Sequence, residues 1–186
     1  MKKIIFILTI CTLAVTQTSA QTTFVKGDNV VNLGVGFGGN LSRSYGWTNE
    51  GVTNLPLFSL SYERCIVDNL FDEKSAIGVG GLIGYKQISF RNWGKATDFV
   101  LGVRGTFHYA LVDKLDTYGG LMLGYDIYKW KWYDNVPGWN NYSTGGSTFS
   151  FSFFLGARYY FSNALAAFAE LGYGPSIINL GVAFKF

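Results

Sequence analysis

Apolar and polar residues alternate with a period of two along most of this chain. The last ten residues show it plainly: Ile178, Leu180, Val182, Phe184 and Phe186 alternate with Asn179, Gly181, Ala183 and Lys185. Such alternation sends one set of side chains to each face of a β-strand. The same pattern predicts strands at about 30–38, 55–65, 75–87, 98–110, 118–130, 148–161, 165–173 and 177–186. In the fourth, Phe99, Leu101, Val103, Phe107 and Tyr109 oppose Gly102, Arg104, Thr106 and His108. In the sixth, Phe149, Phe151, Phe153, Leu155 and Tyr159 oppose Ser150, Ser152, Gly156 and Arg158.

The connections alternate as well. Long loops at 39–54, 88–95 and 131–147 are rich in Ser, Asn, Gly and aromatics, whereas 67–69, 112–116 and 162–163 are short turns. Gly174-Pro175-Ser176 makes a short fourth connection that breaks the rhythm. Eight strands with long and short connections in turn match bacterial membrane barrels, in which the short turns and both termini share the periplasmic side. The predicted fold is all-β, an eight-stranded antiparallel up-and-down transmembrane β-barrel.

A soluble up-and-down barrel would alternate too, with its apolar face inward. Here the polar face consists of Gly, Ser and Asn with isolated charges, which suits a cramped eight-strand lumen better than a solvated surface. Charged residues make up 15% of the chain, below the ~25% of soluble domains. Aromatics reach 18%, and there are 24 glycines. The apolar face is therefore expected to meet lipid.

By parity the inward charges are Glu63, Lys86, Arg104, Asp126, Arg158, Glu170 and Lys185, together with His108. Charges in so narrow a space need partners to offset desolvation. Expected pairings are Arg104 with Asp126 on the neighbouring strand, Glu170 with that pair or with Arg158, and Lys185 with Glu63. Such a polar network fills the lumen and leaves no open pore.

The five tryptophans, Trp47, Trp93, Trp130, Trp132 and Trp139, lie in the long loops or at the strand ends beside them. Tyr62, Phe71, Tyr109, Tyr118, Phe161, Phe184 and Phe186 are expected to form the aromatic girdle at the opposite end. Trp47, Trp93 and Trp139 sit well inside their loops and are candidates for binding an extracellular ligand.

The first residues add the address. Lys2 and Lys3 precede an apolar run from Ile4 to Val15, and Thr18-Ser19-Ala20 offers a small-residue cleavage site. This reads as a secretory signal peptide over 1–20, leaving the barrel as 21–186. Ile10 before Cys11 argues against lipoprotein processing. Without Lys2 and Lys3 the counts are 13 basic against 12 acidic residues, from 15 and 12, so the overall charge points to no polyanion-binding surface and to no nucleic acid as a partner. Cys65 would be the sole remaining cysteine and has no internal partner for a disulfide. No later stretch holds 18 uninterrupted apolar residues, as a spanning helix requires.

Chemistry-bearing constellations are not evident. His108 is the single histidine, and parity places it inside the barrel near the turn end. Residues 34–39 (G-V-G-F-G-G) superficially suggest a phosphate loop, but they lie in a strand with no helix following. No catalytic residue, cofactor site or metal site is expected.

Three segments carry a family resemblance: 155–161 (L-G-A-R-Y-Y-F), 168–174 (F-A-E-L-G-Y-G) and 180–186 (L-G-V-A-F-K-F). With the strand pattern across 21–186, the chain resembles the eight-stranded outer-membrane barrels of the OmpA/OmpX type. It most resembles the stand-alone porin-like "outer membrane protein beta-barrel" proteins of Bacteroidetes. The resemblance implies the outer membrane of a Gram-negative cell and contact with its lipid. It also implies recognition of the terminal Phe186 by the barrel-assembly machinery, and a non-enzymatic structural or adhesive role. A small-solute porin is the first alternative. A lipid A-modifying enzyme is the second, although His108 sits at the wrong end for the palmitoyl transferase pattern.

Overall fold

A computed structural model describes residues 23–40, 52–91, 94–133 and 142–186. Trp47, Trp93 and Trp139, and the leader read over 1–20, lie outside the described residues. Nine strands follow in order: β1 (Asn29–Phe37), β2 (Val52–Asn54), β3 (Leu57–Asp68), β4 (Ser75–Phe90), β5 (Gly94–Val112), β6 (Leu115–Trp132), β7 (Ser143–Tyr160), β8 (Leu165–Tyr173) and β9 (Ile178–Lys185). Neighbours pair antiparallel from β3 through β9, β4 pairs with β5, and β1 joins β3 to β9, so the sheet closes on itself. The ring has eight staves, because β2 and β3 form one broken strand along β4. The break falls at Leu55-Pro56, where proline has no N–H for the ladder. The second expected strand therefore continues past Pro56 as a separate short piece.

Closure satisfies backbone groups that an open edge would leave bare in lipid. The seam is tied at its end as well: Asn29 and Phe186 exchange backbone hydrogen bonds at 2.9 Å in both directions. Gly181 permits the close approach of β9 to β1, since a Cβ there would run into the carbonyl oxygen of Leu33. Gly80 plays the same part between β4 and the carbonyl of Tyr62 on β3.

Alternate residues of each strand are buried and exposed, and the exposed set is the greasy one. Leu155 is 72% and Val103 68% exposed, while Arg158 is fully buried. A soluble barrel would show the reverse. Among the described residues no helix is long and apolar enough to cross a membrane; the strands are the elements sized for it. At the turn end, Tyr62, Phe71, Tyr109, Phe161, Phe184 and Phe186 are exposed, whereas Tyr118 is buried in the lumen. The expectation that Tyr118 joins the girdle is thus corrected. Its parity, shared with Gly120, Gly124 and Asp126, is the inward one.

The hairpin turns at this end are tight. Lys114 takes φ of 65° in the β5–β6 turn and Asn69 takes 52° just after β3. In the β3–β4 turn, the Asp72 carboxylate accepts hydrogen bonds from the Lys74 N–H and the Tyr109 hydroxyl, each at 3.0 Å. Slight desolvation raises its pKa, but these bonds, with one from Ser75, outweigh that effect and hold it below the ordinary carboxylate value.

The other end is uneven. Strands β4 to β7 have 16, 19, 18 and 18 residues, against 9, 9 and 8 for β1, β8 and β9. At ~3.3 Å per residue the long strands rise well past the short ones. β7 pairs with β8 only from Phe153 to Tyr160, so among the described residues its portion from Ser143 to Ser152 has a ladder partner on the β6 side alone. Alternation fades there, and Ser143, Thr144, Gly145, Ser147 and Thr148 are all exposed.

Candidate functional site

The lumen is filled in layers. Phe24, from the segment before β1, packs in the turn-end mouth with Val30, Cys65, Ala76, Tyr160, Ala166, Phe168 and Ala183. Above that floor lies a charged layer. The Arg158 guanidinium donates to Glu63 and, at 3.3 Å, to Asp116. His108 bridges the same two acids, with Nδ1 2.8 Å from Asp116 and Nε2 2.9 Å from Glu63. Its ring lies between Phe24 and Tyr118, at centroid distances of 4.3 and 5.1 Å. Thr106 completes the group by donating its hydroxyl hydrogen to Glu63.

A second pair stands one step further up. Arg104 meets Glu170 at 2.6 Å and stacks over Phe154 at 4.0 Å. Tyr118 donates to Glu170 at 3.0 Å while Arg158 lies 4.5 Å over its ring, so this phenol links the two charged groups. Asn179 donates to Glu170 at 3.4 Å and accepts from Ser59 at 3.3 Å. Above, Leu57, Leu82, Val100, Met122 and Phe154 form an apolar cluster with Tyr118. The cavity beside it measures about 40 Å³, room for a few waters and no more. Toward the loop end, Lys86 faces Asp98 in register, and both are buried.

Two expected pairings are corrected, and the one expected for Glu170 resolves to the first of its alternatives. Arg104 pairs with Glu170 across the lumen. Asp126 stands opposite Val100 and Thr148, whereas Arg104 stands opposite Met122. The four-residue offset separates Arg104 from Asp126 by roughly 13 Å along the strands. Of the partners expected for Glu170, it meets Arg104, while Arg158 is taken by Glu63 and Asp116. Lys185 turns to the mouth, where its ammonium donates to the Thr23 carbonyl at 2.9 Å and lies 3.4 Å from Asp28. Glu63 and Lys185 do flank the same residue, Val30, but Glu63 turns toward Arg158 and His108.

Asp116, Thr106, Tyr118, Asp98 and Phe24 were not among the expected lumen charges and partners. Asp116 reads as a turn residue until the hairpin is known to turn at Asp113-Lys114. Inward parity was a usable signal for Thr106, Tyr118 and Asp98. Nothing in the local pattern marks Phe24, which precedes the first strand.

Thr106, His108 and Asp116 have the ingredients of a hydroxyl–imidazole–carboxylate relay, with Thr106 Oγ1 3.1 Å from Nε2. Such a relay needs its hydroxyl directed at a substrate. Here Glu63 occupies both the Thr106 hydroxyl and Nε2, and all four residues are buried. The Thr106 hydroxyl is thus committed to Glu63 inside the buried layer. Among the described residues no group of His, Cys, Asp and Glu has the grouping a metal ion requires.

No family model matches the chain, and no curated protein matches it in sequence. Solved structures with the same architecture exist. The attachment invasion locus protein Ail of Yersinia pestis is similar at a TM-score of 0.55 and 12% identity, over 87% of this chain and all of that one. Ail in complex with the heparin analogue sucrose octasulfate gives 0.53 and 13%, with 87% and 100% covered. The N-terminal β-barrel domain of OprF from Pseudomonas aeruginosa gives 0.50 and 15%, with 87% and 98% covered. At these identities the likeness is one of fold: an antiparallel ring of the kind found in small outer-membrane barrel proteins.

Proposed function

We propose that this chain is a non-enzymatic outer-membrane barrel whose loop end binds a ligand outside the cell, and whose lumen serves only to hold the scaffold rigid. The observation that carries this reading is the raised sheet of β4 to β7, which stands past the short strands with a polar edge on β7. An exposed edge of this kind can take a further strand from a partner, and the flanking loops supply Trp47, Trp93 and Trp139 for contact. In this reading residues 1–20 are an export signal, the barrel belongs to the OmpA/OmpX type, lipid surrounds the apolar face, and the assembly machinery reads the exposed Phe186.

The ligand chemistry favoured is anionic. Arg91, Lys95, Lys129 and Lys131 all stand at the loop end, with Lys95 opposite Lys131 in register. Ail, similar in fold, has been solved with a heparin analogue. The expected result of a pull-down from the displayed barrel is retention of a sulfated glycan. Binding should fall at least tenfold, about 1.4 kcal/mol, when the loops carrying Trp47 and Trp139 are trimmed and Lys129 and Lys131 are replaced by alanine. Equal retention by both forms would remove the binding role.

A porin reading is disfavoured by the layered lumen. Planar-bilayer recordings of the intact barrel should show no stable large conductance, because two charged groups and two apolar clusters block the bore. A steady open channel would overturn that assignment.

A further inference from the structure

We infer that residues 23–28, a hook ahead of β1, are a latch on the barrel seam: they seat fully only after β1 and β9 have joined, and then hold that join shut. The inference rests on the closed ring itself and is independent of what the loop end binds.

The hook is shaped by its own residues. Asp28 donates its N–H to the Val25 carbonyl at 2.9 Å, and its carboxylate accepts the Val25 N–H at 3.1 Å. Gly27 between them takes φ of 99°, a left-handed conformation that residues with a Cβ rarely adopt. The reversal sends Phe24 back into the lumen, where it is buried and lies 4.3 Å from the His108 ring.

Its partners stand on both sides of the seam. On the β3 side the Gly27 N–H donates to the Cys65 carbonyl at 3.1 Å, and the Lys26 N–H to the Asp68 carboxylate at 3.1 Å. On the β9 side the Lys185 ammonium donates to the Thr23 carbonyl and lies beside Asp28. The Asn29 side-chain amide donates to the Gly27 carbonyl at 3.0 Å and to the Phe186 carbonyl at 3.3 Å, so one group ties the hook to the far end of the chain. Phe24 itself clusters with Val30 of β1, Tyr160 of β7, Ala166 and Phe168 of β8, and Ala183 of β9. Before closure β1 and β9 are the two outer strands of an open sheet. The hook can then reach β3, but neither Lys185 nor the β8–β9 wall. Full seating therefore follows closure. Once it is seated, parting β1 from β9 must also pull Lys185 off Thr23 and Asp28 and bare the Phe24 ring to water.

The test is amide hydrogen exchange of the whole barrel refolded into lipid nanodiscs, comparing the parent with Phe24→Ala and Gly27→Ala. The second variant takes nothing from the lumen: a Cβ on Gly27 meets no atom within 4 Å, so only the hook's backbone is strained. The readouts are the Asn29 and Phe186 amides, which bond each other's carbonyls across the seam. Both should exchange about tenfold faster or more in each variant, while amides midway along the β5–β6 ladder stay within about twofold. Refolding rates should not change, because the hook seats after the ring has formed. Unchanged seam exchange in either variant overturns the latch. Equal acceleration throughout the barrel also overturns it, since Phe24 would then be a general filler of the lumen. Slower refolding overturns the order of seating. If Phe24→Ala yields no closed, heat-modifiable barrel, Gly27→Ala decides alone.

Discussion

Replacing Arg158 with leucine should lower the barrel's stability by about 3–5 kcal/mol, more than any other single change in the lumen. Arg158 is fully buried and is the guanidinium that Glu63 and Asp116 share. Without it, two buried carboxylates face each other with only His108 between them. Removing one partner of a buried charge pair is costly because the other is stranded, and here two are stranded at once. Urea unfolding followed by tryptophan fluorescence, or by loss of the heat-modifiable band, measures the effect. The triple variant Arg158→Leu, Glu63→Gln, Asp116→Asn should recover much of the loss, since neutral amides need no counter-charge. A single variant as stable as the parent would show that the layer is not a clamp.

Removing residues 174–186 should abolish the closed barrel altogether. The deletion takes out β9, which pairs with β1 from Val30 to Phe37 and with β8 from Leu165 to Leu171. Two strand edges would then stand open, and backbone groups left bare in hydrocarbon cost several kcal/mol each. Asn179 and Lys185 go with it, so Glu170 loses an amide donor and the mouth loses its lysine. The measurement is recovery of a protease-resistant, heat-modifiable species from refolding into lipid. Its appearance in the truncated chain would refute the closure argument.

The strand count, the direction of each face and the antiparallel ring were legible because a period of two is a local property of the chain. Strand length was less so. Residues 143–147 and 131–132 read as loop, being Ser, Thr and Gly or tryptophan-flanked lysine, yet they extend the ladder between β6 and β7. Clear of the membrane, a strand has no need of an apolar face, so the alternation that marks strands disappears. Pairing was the hardest to read. Arg104 and Asp126 sit on adjacent strands, but the hairpin turn at Asp113-Lys114 sets Arg104 against Met122. Counting back from that turn would have excluded the pair. The actual partner, Glu170, lies across the bore, and contacts across the bore depend on stagger and on which side chains fill the space. Asp126 stands opposite Val100 and Thr148, nearer the loop end than Arg104. Phe24 was illegible for another reason: it belongs to no strand, and only the closed ring creates the hole it fills.

The seam between β1 and β9 also sets the order of events. Val30 and Lys185 are partners although 155 positions separate them, whereas from β3 to β9 each strand pairs with the next in sequence. Local hairpins form on microsecond timescales, but the closing pair shuts the longest loop of any strand pairing among the described residues, at the largest entropy cost. The ring therefore cannot close before its last strand is in place. Closure is a late step, and the unclosed sheet, with two bare strand edges, is the form in which this protein is most exposed to aggregation and proteolysis.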